Sequence, residues 1–207
     1  MLTKISLTEI KNLETNKLKM KVFNRWELEK VKINDISISN YIYFNKKYGE
    51  LVPHSSGNYD KKPFKKTYCP ILERLVCSLM LKSRNSGKKI KTIAIVKHAF
   101  YLLHKTTGKN PIQLLVDAIS NCAPHEDSLM LSNSGQKKRE AVDVSPYRKI
   151  SQAIYFIAVG TKKAAFKNPK SISIALHDEI LNAARNSNTS YAIKKKLDLE
   201  KNASLFR

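Results

Sequence analysis

Apolar residues recur at helical spacing along much of the chain, and polar caps, prolines and glycines separate the segments that carry this pattern. A proline in the first turn is tolerated because the N–H it lacks has no helical partner there. A glycine just past the last turn takes the left-handed conformation readily. These signals predict helices over about 70–83, 92–105, 110–122, 145–167, 171–185 and from 190 onwards, after a short helix capped by Asn34 and Asp35.

The pattern changes between Pro124 and Ser145, where no helical stripe is present. Two short extended segments, roughly 126–132 and 138–144, lie on either side of Ser134 and Gly135, and they predict a β-hairpin. Two isolated strands are only marginally stable in water, so we expect the hairpin to contact a partner. The predicted fold class is all-α: a bundle of about six or seven helices with an inserted β-hairpin arm.

The first 30 residues lack clear periodicity and are predicted to form a variable N-terminal arm. No boundary is visible after them, so residues 31–207 are predicted to form a single helical domain, with the hairpin at about 126–144. No apolar run approaches the roughly 18 residues that a membrane span needs, and the chain start carries no apolar signal-peptide block. We therefore expect neither an integral membrane protein nor a secreted one.

Charge narrows the range of functions. The 207 residues include 38 Lys and Arg against 17 Asp and Glu, a formal net charge of +21. Such an excess opposes compaction by self-repulsion, so the protein is expected to work beside a polyanion, most commonly a nucleic acid. Anionic membranes attract basic proteins mainly through one dense basic block. Here the cations are spread along the chain, which favours a folded nucleic acid.

The positive charge is least balanced between Arg74 and Val116, a stretch without a single acidic residue. Within it, the turn 84–89 joins two predicted helices and offers backbone amides and three cations to phosphates, beside a positive helix N-terminus. Two further basic runs are 137–139 on the hairpin and 194–196 on the last helix. The hairpin cations have an alternative explanation, since charges on edge strands also protect against aggregation.

Catalytic chemistry is weakly represented. General acid–base cleavage of RNA needs two histidines around one phosphate. His98 and His104 are six residues apart, off the spacing that aligns one helical face. The other histidines, His54, His125 and His177, lie on separate predicted elements. No P-loop, GxSxG, HExxH or GxGxxG motif is present, so the sequence predicts no enzyme and no cofactor.

The three cysteines, Cys69, Cys77 and Cys122, fit neither a disulfide framework nor a CxxC zinc site. We expect reduced, mostly buried thiols and no metal site. From the residues alone, two alternatives to structural RNA binding stay open: a basic RNA-processing enzyme that uses histidine chemistry, and a helix-turn-helix DNA-binding protein. The aromatic residues are scattered, without the paired aromatics of an RNA-reading sheet, which favours recognition of folded shape and backbone.

Six motifs occur in order and at characteristic spacing between about residues 25 and 207. They are CPILERL (69–75), RNSGKK (84–89), IVKHAF (95–100), TGKNP (107–111), AVDVSP (141–146) and SYAIKKK (190–196). Together they closely resemble the small-subunit ribosomal protein seven family in its eukaryotic form. The first 24 residues fall in a part of that family that varies.

The resemblance implies a structural constituent of the small subunit of the cytosolic ribosome. Such a protein binds the 3′ major domain of small-subunit rRNA, organises head assembly and lies near the exit-site tRNA and the mRNA exit path. The implied partners are this rRNA, exit-site tRNA, mRNA and neighbouring head and platform proteins, with no membrane. The implied rRNA-binding residues are Lys61, Lys62, Lys65, Lys66, Lys82, Arg84, Asn85, Lys88, Lys89, Lys91, Lys97, Arg148, Lys149, Lys194, Lys195 and Lys196, and those implied near tRNA or mRNA are Lys137, Lys138, Arg139 and Arg207.

The hairpin departs from this family pattern. Where relatives carry arginines around the first strand and the tip, this chain has His125 and the run 129–134, which begins Leu-Met-Leu. Leu129 and Leu131 alternate toward one face of the predicted strand. We therefore expect this arm to contact protein more, and nucleic acid less, than in relatives.

Overall fold

The computed structural model describes residues 21–28, 30–44, 52–59, 61–81, 84–133 and 136–207. Within these ranges the chain forms seven α-helices, a 3₁₀ turn at Lys65–Tyr68 and a two-stranded antiparallel hairpin. The elements are α1 (Ile36–Ser39), α2 (Ile71–Leu79), α3 (Lys89–Thr107), α4 (Pro111–Cys122), β1 (Glu126–Asn133), β2 (Gln136–Asp143), α5 (Pro146–Ala165), α6 (Ile172–Ala184) and α7 (Tyr191–Ser204). The predicted helical bundle with an inserted β-hairpin is confirmed.

Short-range side-chain bonds explain where several helices begin. The side chains of Asp35, Asn110, Ser171 and Ser190 each accept a hydrogen bond from a backbone N–H in the first turn of the helix that follows. Helix α3 ends before Gly108, whose φ of 67° lies in the left-handed region that glycine tolerates. These four predicted helix starts and the predicted stop at Gly108 are confirmed.

Two predicted boundaries are wrong. Helix α2 ends at Leu79 instead of near Ser83, because Met80 leaves the helical conformation with a ψ of 33°. Helix α3 begins at Lys89, earlier than the predicted Thr92. Its first turn presents Ile90 to solvent, at 86% exposure, and the buried stripe starts only at Thr92. Hydrophobic periodicity therefore could not mark the first turn.

Helix α6 lies at the centre of the bundle and packs against α3, α4, α5 and α7. Its inward residues Leu176, Ile180 and Ala183 are fully buried and belong to one hydrophobic cluster that the neighbouring helices share. Burial of such a stripe against several partners is the main stabilising contribution available to a helical domain.

Residues 21–28 pack into the same cluster. Val22 and Trp26 form an isolated antiparallel bridge, with the Val22 amide 2.9 Å from the Trp26 carbonyl. The rings of Phe23 and Trp26 meet Phe100 of α3 edge-on, at centroid distances of 6.5 and 5.9 Å. The predicted division at residue 30 stays a prediction, and residues 1–20 of the predicted arm lie outside the described residues.

The hairpin pairs Glu126 with Asp143 at its base and Asn133 with Gln136 near its tip, close to the predicted strands. The tip residues Ser134 and Gly135 lie outside the described ranges. The base packs on α7, where the Glu200 carboxylate accepts a hydrogen bond from the His125 amide at 3.0 Å. The inserted arm is therefore fastened to the bundle through the last helix.

A buried carboxylate joins α6 to α7. Glu179 Oε1 accepts hydrogen bonds from the Ser190 hydroxyl at 2.7 Å and from the Ala192 amide at 2.9 Å. Gly160 of α5 faces this junction, and a Cβ atom there would lie 3.0 Å from the Cβ of Tyr191 and 3.1 Å from the Glu179 carboxyl carbon. Glycine thus permits the close approach of the three helices.

A second buried carboxylate, Glu73 of α2, joins the loop 52–59 to α3. Its Oε2 accepts from the Ser55 hydroxyl at 2.5 Å and from the Ser55 amide at 3.3 Å, and its Oε1 accepts from Lys89 Nζ at 2.6 Å. Burial alone raises the pKa of Glu73, but the bonds and charge of Lys89 and the bonds from Ser55 outweigh it, so the pKa is lowered.

Gly160→Ala is expected to destabilise the fold by about 1–3 kcal/mol, because the new methyl group must displace Tyr191 or Glu179. Urea unfolding followed by circular dichroism measures this change. Ala164→Ser, at an exposed position one turn further along α5, is the control and should change the free energy of unfolding by less than about 0.5 kcal/mol. Equal stability of Gly160→Ala and wild type would contradict the tight junction.

Glu73→Gln is expected to cost about 1–3 kcal/mol at neutral pH, because Lys89 loses its counter-charge in a half-buried setting. A lowered pKa in the folded state adds stability above the unfolded-state pKa, and this stability is lost as pH falls through the folded-state value. Between about pH 7 and about pH 3, the free energy of unfolding should therefore fall by less for Glu73→Gln than for wild type. Glu140→Gln, on the half-exposed hairpin, should follow the wild-type profile.

Candidate nucleic-acid interface

The basic turn 84–89 connects α2 to α3 and is largely exposed. Arg84 and Lys88 are exposed, Asn85 is half-buried, and Gly87 takes a left-handed φ of 73°. Lys88 occupies the cap position of α3 without a side-chain hydrogen bond to the first turn, so the positive end of that helix dipole is left uncapped. Lys82, predicted with this group, lies outside the described residues.

Lys89 differs from its neighbours because its charge is already paired. The ion pair with Glu73 leaves the Lys89 side chain 23% exposed, whereas Lys88 carries no ion pair among the described residues. Lys91 and Lys97 follow on exposed positions of α3. The geometry therefore gives Lys89 a structural contact within the protein and leaves the other described cations of this segment facing outward.

The approach segment 61–68 reaches the same region. All four of its predicted lysines, Lys61, Lys62, Lys65 and Lys66, are exposed. Lys66 Nζ lies 4.9 Å from the ring centre of Tyr147 in the first turn of α5, beside the predicted Arg148 and Lys149. Arg148 is exposed and lies 3.6 Å from Asp127, while Lys149 is half-buried.

Arg74 and Tyr147 are contact residues that sequence reasoning did not assign. The Arg74 guanidinium lies 4.7 Å from the same Tyr147 ring centre and donates to the Ser151 hydroxyl at 2.9 Å. Burial lowers the pKa of this guanidinium, although arginine stays charged because its ordinary pKa is so high. The sequence did contain a signal for the role of Arg74, because this cation lies next to Leu75 inside the apolar stripe of α2.

The first turns of three helices therefore meet. Glu73 connects α2 to Lys89 at the start of α3, and Arg74, the next residue, connects α2 to Tyr147 at the start of α5. The structure brings the turn 84–89, the approach segment and the pair Arg148 and Lys149 together around α2. We call this surface the basic junction; its described cations are Lys61, Lys62, Lys65, Lys66, Arg74, Arg84, Lys88, Lys89, Lys91, Arg148 and Lys149.

A shallow depression of about 390 Å³ lies against the outward face of α3. Lys97 and His98 line it, together with Tyr101, over whose ring the Arg25 guanidinium lies at 5.2 Å. Arg25 and Tyr101 were not predicted as contacts. The signal present in the sequence was the four-residue spacing of Lys97 and Tyr101, which places a cation and an aromatic ring on one face.

The triplet 194–196 on α7 does not act as three equivalent cations. Lys194 is exposed, but Lys195 pairs with Asp198 at 3.0 Å, and this hydrogen bond raises the pKa of Lys195. Lys196 Nζ donates to the Asn121 carbonyl at 2.9 Å and so joins α7 to α4. Lys194 is the member of the triplet that faces outward with no such contact in the described structure.

The predicted hairpin cations are also partly engaged. Arg139 lies over the Phe206 ring at 5.5 Å, Arg207 pairs with Glu126, and Lys138 lies 3.4 Å from Glu140. Lys137 is exposed. The first strand exposes Leu129 and Leu131, which pair across the hairpin with Glu140 and Lys138 and therefore share one face, as predicted.

The histidines do not form a pair around one site. His177 is buried, with Nε2 3.1 Å from the Thr106 hydroxyl and Nδ1 2.8 Å from Asp178, while His54, His98, His104 and His125 are exposed. His98 and His104 share α3 but are six residues apart, off the spacing that aligns one helical face. No group of three or more His, Cys, Asp or Glu side chains in the described residues could hold a metal ion. None of the described helices combines the length and apolar character needed to cross a bilayer.

The expectation of mostly buried thiols is wrong for one cysteine. Cys122 is buried, and burial raises its pKa to about 12, which suppresses the reactive thiolate. Cys69 is half-buried, and Cys77 is exposed. Cys77 lies on the outward side of α2, since Val76 and Leu79 on either side of it in sequence fill the core.

The sequence model of one family, ribosomal protein S7p/S5e, matches residues 43–207. The matched region contains the hairpin, helices α2 to α7 and the whole basic junction. It also contains all six motifs that carried the resemblance, which is thereby confirmed. Proteins of this family are structural RNA-binding proteins of the small ribosomal subunit, not known enzymes. The chain belongs to the ribosomal protein S7p/S5e family and is a structural ribosomal protein that binds small-subunit rRNA.

Proposed function

We propose that this protein organises the head of the small subunit of the cytosolic ribosome by binding the 3′ major domain of small-subunit rRNA through the basic junction. The observation that carries the proposal is the meeting of the first turns of α2, α3 and α5. Cations from segments far apart in sequence, such as Lys66, Lys88 and Arg148, thereby lie on one rigid surface.

The mechanism is electrostatic and geometric. Each exposed cation that neutralises a phosphate releases condensed counterions, which gives affinity but little sequence selectivity. Selectivity then depends on RNA shape, because side chains cannot read the deep, narrow major groove of an RNA helix. A rigid α-helical body held by α6 fixes how the RNA segments bound to its surface are arranged relative to one another.

The outlying basic groups are assigned separately. Lys97 and Lys194 to Lys196 are proposed to extend the rRNA contact along α3 and α7, with Lys194 and Lys97 as the exposed members. The hairpin and the chain end, with Lys137, Lys138, Arg139 and Arg207, are proposed to lie near exit-site tRNA and mRNA. The exposed face of Leu129 and Leu131 supports contact with a neighbouring head or platform protein. Residues 31–207 are proposed to act as one domain, with 1–30 as its variable arm.

Lys88→Glu is expected to weaken binding of an rRNA fragment from the 3′ major domain about tenfold. The slope of log K against log salt concentration should become shallower by about one. Filter binding or fluorescence anisotropy over a salt series measures both. The matched control is Lys201→Glu, exposed on α7 and without a side-chain contact among the described residues. Equal losses for the two variants would contradict the basic junction. Lys89 is unsuitable for this test because its replacement also breaks the Glu73 pair.

Joint charge reversal of Lys137 and Lys138 is expected to leave affinity for that rRNA fragment within about threefold of wild type, because these lysines lie towards the hairpin tip, whereas the hairpin meets the basic junction at its base, where Asp127 contacts Arg148. In assembled subunits, crosslinking of the arm to tRNA and mRNA should fall instead. Reversal of Lys201, exposed on α7, is the control for a general charge effect. A large loss of rRNA-fragment affinity in the hairpin variant would place the arm on the rRNA.

A further inference from the structure

A cleft of about 450 Å³ opens within the basic junction, between the loop 52–59 and the first turns of α2 and α5. Its walls include Ser56, Asn58, Tyr59, Lys66, Arg74 and Tyr147. The volume is in the range of sites that hold small organic ligands, and it exceeds what a lone phosphate needs.

The loop that forms one wall is held firmly. Ser55 bonds to the buried Glu73 carboxylate and also lies 2.7 Å, hydroxyl to hydroxyl, from Tyr59. The Tyr59 ring lies directly against Gly57, since a Cβ atom at Gly57 would be 2.4 Å from the ring. An aromatic wall is thus positioned before any ligand arrives, which lowers the entropic cost of binding.

The cleft carries positive charge that the protein does not balance. Lys66 and Arg74 both lie over the ring of Tyr147, at 4.9 and 4.7 Å, and neither forms an ion pair with a described carboxylate. None of the described residues that line the cleft is acidic, and Glu73 behind the loop is already paired with Lys89.

Arg74 also has an unsatisfied donor. Its Nη2 donates to Ser151, but its Nη1 is buried and has no hydrogen-bond partner among the residues that the structure describes. Buried polar atoms without a partner are rare in folded proteins and each calls for an explanation. At α5, Ser145 leaves the first turn without a side-chain cap, which adds a partial positive charge near the cleft. An oxyanion bound in the cleft would lie beside the Arg74 charge and the uncapped start of α5.

We propose that this cleft binds one unpaired nucleotide of the RNA, with its phosphate on Lys66 and Arg74 and its base between the Tyr59 wall and the side chains of Ser56 and Asn58. The inference rests on the proposed RNA-binding function and specifies one site within it. The Ser56 hydroxyl and the Asn58 carboxamide can each donate and accept hydrogen bonds, as recognition of a base edge requires. A base paired inside a helix does not fit such a cleft.

An RNA strand, and not a free nucleotide, is favoured by the surroundings of the cleft. Lys61, Lys62 and Lys65 are exposed on the same segment as Lys66, and Arg148 follows Tyr147 on α5. These cations continue the positive charge on both sides of the cleft, so the phosphates before and after the bound nucleotide also meet a cation.

The test compares two RNA stems that differ only in one bulged nucleotide, each titrated against the full chain. Wild type is expected to bind the bulged stem about tenfold more tightly, the size of one base contact. Lys66→Ala and Asn58→Ala, both at exposed positions, should remove this preference. Lys61→Ala, the matched control outside the cleft, should weaken both stems equally. Arg74 is left unchanged because its replacement disturbs the contact between α2 and α5.

The outcomes separate the two proposals. If wild type binds both stems equally well, or if the preference survives in Lys66→Ala and Asn58→Ala, the cleft is not a nucleotide site, although RNA binding itself stands. Failure to bind either stem or the rRNA fragment overturns the proposed function as well.

Discussion

The surface of this protein depends on one buried ion pair. Glu73 holds the loop through Ser55 and the start of α3 through Lys89, so both segments are fixed to α2. A buried carboxylate is unfavourable unless it is paired and hydrogen-bonded, and here both conditions are met. Because one lysine neutralises Glu73 inside the fold, the carboxylate does not quench the outward-facing cations. The protein thereby gains a rigid junction and keeps its excess positive charge for the RNA.

The sequence predicted what local interactions decide. The Asn110 and Ser190 caps and the Gly108 stop act within a turn of their own helix, and the structure has them where the pattern indicated. It could not predict which cations are free. Lys88 and Lys89 are neighbours with identical side chains, but only the second meets a carboxylate 16 residues away. Lys196 is held by a carbonyl 75 residues away, while Lys194 remains exposed. Such pairings depend on tertiary packing, so composition overstated the available charge on α7 and on the hairpin.

In the hairpin, too, some residues fix the arm to the bundle while others stay exposed to partners. Its base is held by the bundle through Glu200, Arg207 and the stacking of Arg139 on Phe206. Two cations that sequence reasoning assigned to tRNA or mRNA therefore already contribute to the orientation of the arm. The first strand is left with exposed Leu129 and Leu131, a face better suited to apolar protein surface than to phosphates. An arm oriented from within the protein keeps its direction before its partners arrive, which suits a role in assembly.

The helices also differ in whether a side chain caps their first turn. The starts of α1, α4, α6 and α7 are satisfied by a side chain, whereas Pro70, Lys88 and Ser145, which precede α2, α3 and α5, make no such bond. A missing cap ordinarily costs about 1 kcal/mol because first-turn N–H groups lose a partner. All three uncapped starts lie at the basic junction. Phosphate oxygens are strong acceptors and favour the positive end of a helix dipole, so RNA can satisfy first-turn amides there as a side chain does elsewhere. The stability that the free protein forgoes at these helix starts is thus available as binding energy where the RNA is proposed to lie.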